Sequence, residues 1–127
     1  MRLKFTIGLI VLVISCTPIF AQMTAEEWFN SGIAFYNQGK TNEAIQAWDR
    51  AIEINSQYTD AWYNKGAALD NLGKHNEAIQ AYDKAIEIDP QYAKAWYGKG
   101  TALDDLGKYN EAIQAIDKAI AIDSPET

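Results

Sequence analysis

The chain has 127 residues and a mass of 14.2 kDa, enough for one small domain or a short array of repeats. It carries 11 Lys+Arg and 17 Asp+Glu, a net charge of −6; Arg2 and Lys4 are the only charged side chains ahead of Glu26, so the balance from residue 22 onward falls to −8. A surface that acidic repels phosphate backbones and argues against a nucleic-acid partner, while an apolar content of 48% is too high for a disordered chain. One cysteine allows no intrachain disulfide, and one histidine with one cysteine gives too few soft ligands for a zinc or haem site, so no metal and no cofactor are expected.

Residues 1–21 stand apart from the rest. Arg2 and Lys4 precede an apolar run from Phe5 to Ile14, followed by Ser15, Cys16, Thr17, Pro18 and then Ala21. That is the layout of a secretory signal peptide: a charged start, a short apolar stretch and a cleavage region. The run is shorter than the roughly 20 apolar residues of a spanning helix, and Pro18 breaks its far end. Cutting after Ala21 leaves Gln22 as the new N-terminus. A rival reading takes Val13-Ile14-Ser15-Cys16, which resembles a lipobox; that resemblance implies cutting before Cys16 and a lipid thioether on it. Acyl chains hold a small domain on a membrane at roughly 0.8 kcal/mol per methylene. An uncleaved anchor is the third reading. All three place the remainder outside the cytoplasm, as an exported or membrane-anchored protein that meets a membrane only through its N-terminal segment.

Beyond a short linker at 22–24 the sequence repeats. Trp28, Trp62 and Trp96 recur at 34-residue spacing, as do Gly32, Gly66 and Gly100, and Gly39, Gly73 and Gly107. Residues 59–92 and 93–126 are identical at 23 of 34 positions, which chance does not produce. The units are 25–58, 59–92 and 93–126. Each reads as two helices, because apolar and small residues return at three- and four-residue steps: Ala61, Trp62, Gly66, Leu69, then Ala78, Ile79, Tyr82, Ala85, Ile86. The spacing predicts helices at 25–38, 42–54, 59–72, 76–88, 93–106 and 110–122, with Gly39, Gly73 and Gly107 as stops. Gly32 with Ala44, and their counterparts, let paired helices approach closely, and the tryptophan of each first helix is expected to fill the rest of that contact. One pair cannot bury both its faces; stacked pairs can.

The string Ala-Trp-Tyr-x-x-Gly-x-x-Leu, then Gly-Lys-x-x-Glu-Ala-Ile, then Ala-Ile-x-Ile-Asp, resembles the tetratricopeptide repeat from Ala25 onward. Departures are local. Ser31, Lys65 and Lys99 stand where the family has an aliphatic residue, Ile116 where Trp48 and Tyr82 are aromatic, and Ser56 and Ser124 where the second unit has Pro90. The resemblance implies an all-α, right-handed superhelical solenoid of three helix–turn–helix units. It implies a concave face, lined by first helices, that binds peptides.

On that face the candidate residues are Phe29, Tyr63 and Tyr97 as an aromatic row, Asn30 and Asn64 beside it, and Tyr36, Asp70, Asp104 and Asp105 along the far turns. Aromatic rings give contact area at low rotamer cost, and asparagine amides pair with peptide backbone. Some relatives grip a partner's C-terminal carboxylate through five Lys, Arg and Asn positions; here only Asn64 and Lys94 match, with Phe29, Ile33 and Gly98 at the others. The expected partner is therefore a protein segment that is basic or neutral with apolar anchors. Acid–base pairs drawn from Asp70, Asp104 and Asp105 lie on an open surface without the unequal environments catalysis needs, so no enzyme is expected. His75 occupies a turn where the sister units have Thr41 and Tyr109, and reads as a surface residue. The function expected is an exported scaffold or assembly factor. The alternatives are a self-assembling array, joined through Ile113, Ile116, Ile120 and Ile122 of the last helix as a homodimer, and an accessory part of a catalytic complex.

Overall fold

The computed structural model describes residues 22–125; the leader 1–21, with Cys16, lies outside the described residues. Six helices follow one another: α1 Ala25–Asn37, α2 Thr41–Ile54, α3 Thr59–Asn71, α4 His75–Ile88, α5 Ala93–Asp105 and α6 Tyr109–Asp123. Among the described residues there is no strand. No described helix is long and apolar enough to cross a membrane. Each odd helix packs on the even helix after it, α2 and α4 pack on the next unit's first helix, and α3 meets α5 directly. The result is the right-handed solenoid, with α1, α3 and α5 side by side on the concave side.

Local chemistry sets the helix ends. Thr24 caps α1 reciprocally: its Oγ accepts from Glu27 N–H (3.1 Å) and the Glu27 carboxylate accepts from Thr24 N–H (2.7 Å). The first helix of each unit closes on a left-handed glycine, with φ of +77° at Gly39 and Gly73 and +76° at Gly107. Gly39 N–H donates to Tyr36 O and Lys40 N–H to Phe35 O, both at 2.9 Å, which satisfies two carbonyls the helix end would leave open. Lys40 O then accepts from Ala44 N–H at 3.0 Å, so one residue ends the first helix and begins the second. That sharing is why α2, α4 and α6 start one residue earlier than their sequence pattern suggests.

The paired helices pack differently from the sequence reading. A Cβ built on Gly32 would stand 2.3 Å from Trp48 Nε1, one on Gly66 2.8 Å from the Tyr82 ring, and one on Gly100 2.5 Å from Ile116 Cγ1. The residue filling each glycine notch thus comes from the middle of the second helix. Trp28, Trp62 and Trp96 are only half-buried. Their place is at the rim, where an indole N–H finds an acceptor: Trp62 donates to Ser56 O and Trp96 to Pro90 O, both at 3.0 Å. Trp48 and Tyr82 are each 2% exposed and sit among the buried alanines of α2 and α4. The central cluster joins Leu69, Ala78, Ala81, Tyr82 and Ala85 to Ala95 and Ala102 of the next unit. The core therefore runs through the unit boundary, as a quasi-one-dimensional array requires.

Candidate functional site

The first helices place the expected aromatic row at one position per unit, but the three rings differ in cover. Phe29 is half-buried and stacks on Tyr58, 4.9 Å between centroids at 26°. Tyr63 is half-buried between Tyr82 (5.9 Å) and Tyr92 (5.6 Å). Tyr97 is 58% exposed. Tyr58 and Tyr92, each just ahead of the next unit's first helix, pad the first two rings. Burial pushes the Tyr63 phenol up from its ordinary pKa, with the neighbouring Tyr36 phenol the smaller cause. Burial likewise raises Tyr92, helped by the hydrogen bond its hydroxyl donates to Asp60, and raises Tyr58, with Glu26 and Asp60 adding.

Asn30 is exposed and Asn64 half-buried. The third position of that series is Gly98, where a Cβ would come within 2.6 Å of Tyr82 Cζ. The Tyr82 ring reaches from α4 to α5 and leaves no room for an asparagine there. The loss of one polar position on the face is thus a consequence of core packing.

At the far turns, Tyr36 accepts a hydrogen bond from the Asn71 amide, closing the first unit on the second. The equivalent junction between the second and third units holds Asp70, His75 and Asp105. His75 Nδ1 is 2.6 Å from Asp70 Oδ1 and 3.8 Å from Asp105 Oδ2, and one ligand atom from each residue lies within 4.8 Å of the others. Asp104 is exposed beside them. The sequence reading took His75 for a surface turn residue and missed this convergence; the only signal for it was a junction where Tyr36 and Asn71 are both replaced by aspartate.

Lys65 and Lys99, at positions that are aliphatic in the family, lie close to the tryptophans. Their ammonium groups stand 5.5 Å from the Trp62 ring and 5.8 Å from the Trp96 ring, and pair with Asp49 (2.6 Å) and Asp83 (2.7 Å) of the preceding helix. A charged head over an aromatic stem replaces the aliphatic contact and ties neighbouring units. Trp62, Lys65 and Asp83 also line an open cleft of about 460 Å³ with Leu69 and Glu87, and Asp49 lines one of about 560 Å³ with Trp28, Phe35 and Glu53. Trp62, Lys65 and Leu69 occupy a different face of α3 from Tyr63 and Asp70.

On α6, Ile113 and Ile120 are 57% and 58% exposed, Ile122 is half-buried, and Ile116 turns inward onto Gly100. Of the four isoleucines considered for self-association, Ile116 is thus committed to packing within its own unit.

Tetratricopeptide repeat family models match residues 59–92 and 93–124, and a second model of the repeat matches 32–73. No curated protein gave a significant sequence match. Among solved structures the fold is similar to MamA, with 35% identity over 78% of this chain and a TM-score of 0.76; this chain spans 58% of that one. It is also similar to the second TPR of Spaghetti (RPAP3) bound to the HSP90 peptide SRMEEVD, with 30% identity, a TM-score of 0.77, and coverage of 80% of this chain and 94% of that one. The Arabidopsis OM64 TPR domain is similar at 29% identity and a TM-score of 0.77, covering 79% and 83%.

Proposed function

The chain belongs to the tetratricopeptide repeat family, and from that premise we propose that it is an exported, non-catalytic scaffold whose concave face holds a basic, partly apolar protein segment. The observation that carries this reading is the exposed end of the aromatic row. Tyr97 offers the most open ring of the row, and Asp104 lies two turns further along the same helix face. A side chain combining apolar bulk with a cationic neighbour suits that pair. The SRMEEVD-bound relative takes an acidic peptide; this chain keeps only Asn64 and Lys94 of the residues that would favour one, and Gly98 is sterically fixed.

Selection of displayed random peptides against the full chain tests the proposal. Enriched sequences should carry Lys or Arg next to aromatic or aliphatic residues, and Tyr97→Ala and Asp104→Asn should each weaken their binding. Enrichment of acidic peptides, or binding indifferent to both changes, contradicts it.

Export rests on residues 1–21. Mass spectrometry of the mature protein should find Gln22 or a lipidated Cys16 at the N-terminus; an intact Met1 in a soluble cytoplasmic pool contradicts both. A second reading, assembly between copies, is favoured by one observation, the exposed Ile113 and Ile120 on α6. Sedimentation over a wide concentration range, with Ile113→Glu and Ile120→Glu combined, separates it from the first: self-association that vanishes in the double variant supports it, and a monomer at every concentration removes it.

A further inference from the structure

We infer that Asp70, His75 and Asp105 form a binding site for a single divalent transition cation of the zinc type, which ties the second repeat to the third. The three residues come from three helices. Asp70 is in the last turn of α3, His75 is the first residue of α4, and Asp105 is the last of α5. Side chains 30 and 35 positions apart meet because the solenoid stacks equivalent turns on one another.

The preceding junction is an internal control. There the corresponding residues are Tyr36, Thr41 and Asn71, all uncharged, and the Asn71 amide donates to the Tyr36 hydroxyl. At the second junction both facing residues are carboxylates. Ionised carboxylates only accept hydrogen bonds and repel one another, so this junction cannot close as the first does. Among the described residues no lysine or arginine forms an ion pair with either; Lys65, Lys84, Lys99 and Arg50 pair elsewhere. His75 reaches Asp70 at 2.6 Å, but at 3.8 Å it is too far from Asp105 for a hydrogen bond. A divalent cation among the three ligand atoms, which lie within 4.8 Å of one another, would offset both carboxylates at once.

The geometry suits a cation. Nitrogen and oxygen ligands sit about 2.0–2.2 Å from zinc, and in a tetrahedron that places them about 3.3–3.6 Å apart. The two measured separations from Nδ1 bracket this range, so rotamer-scale shifts of Asp70 and Asp105 complete the set. Asp70 and His75 are sheltered, with side chains 17% and 24% exposed, while Asp105 at 56% leaves an open side for entry and for water ligands. The imidazole selects the ion: calcium and magnesium prefer all-oxygen sets, whereas nitrogen with carboxylate suits zinc and its first-row neighbours.

The test is isothermal titration of zinc chloride into the chelator-treated full chain carrying Cys16→Ser, which removes the thiol as a competing ligand. One zinc ion per chain is expected, with a zinc-dependent rise in melting temperature that excess calcium does not reproduce. His75→Thr and Asp105→Asn, which install the residues of the first junction, should each weaken binding by about tenfold or more while the far-ultraviolet circular dichroism stays unchanged. Absence of both heat and melting shift shows that the cluster is a hydrogen-bonded Asp–His pair and overturns the inference. Zinc binding that survives His75→Thr places the ion elsewhere and overturns it too, and calcium binding as tight as zinc refutes the ion class. None of these readouts uses Tyr97 or Asp104, so failure here is separate from failure of peptide binding.

Discussion

Tyr82 packs against two repeat units at once. It is 2% exposed, fills the notch at Gly66, and touches the backbone at Gly98 of the next unit. Burial raises its phenol pKa far above the ordinary value, with Asp70 the next cause. Tyr82→Ala opens a cavity that two units share and should cost about 3–5 kcal/mol. Trp62→Ala, at the half-buried rim, should cost about 1–3 kcal/mol, since less apolar surface returns to water. Urea unfolding of both variants checks the order; a larger loss for Trp62 would contradict the packing described. Gly98→Asn restores the residue type of Asn30 and Asn64, but it drives a side chain into the Tyr82 ring. It should destabilise by about 1–3 kcal/mol, and a neutral result in the same assay would mean the ring can yield.

At the scale of the element, buried tyrosines make the helix contacts sensitive to alkali. Tyr63, Tyr82 and Tyr92 all have raised folded pKa values, with burial the largest cause, whereas in the unfolded chain a phenol ionises near pH 10. Their contribution is fully present below about pH 10 and is lost as pH rises through the folded values, because the unfolded state then gives up protons that the folded state keeps. The melting temperature should therefore hold from about pH 8 to about pH 9 and fall as pH rises above about 10, and phenolate absorbance should show a late-titrating subset. A single titration of all tyrosines near pH 10 with an unchanged melting temperature would contradict this.

The helices themselves were legible from the 34-residue period and the three- and four-residue steps. Two things were not. Which side chain fills the glycine notch depends on the depth of the helix contact, which periodicity does not encode, so Trp62 was read in place of Tyr82. The meeting of Asp70, His75 and Asp105 depends on how far one unit rotates on the next, and at each position alone an aspartate or a histidine looks like solvated surface.

Across the whole molecule, the proposed function joins the acidic excess to the aromatic row. Phe29 and Tyr63 are padded by Tyr58 and Tyr92, so they shape the concave face more than they contact solvent, and the open contact area concentrates at Tyr97. The aromatic row was legible from sequence because it repeats with the unit; its unequal cover was not, since the padding comes from a neighbouring unit. Exposed charges are screened over about 8 Å at physiological salt, so a basic segment held beside Asp104 should bind less tightly as salt is added. The most direct measurement is a fluorescence anisotropy titration of the full chain with two labelled peptides, the acidic SRMEEVD and a basic apolar sequence from the display selection, each at about 0.05 M and about 0.5 M salt. The account predicts that the basic peptide binds, that salt weakens it, and that Tyr97→Ala and Asp104→Asn weaken it further, while SRMEEVD stays free. Tighter binding of SRMEEVD than of the basic peptide, or affinity that rises with salt, would contradict it.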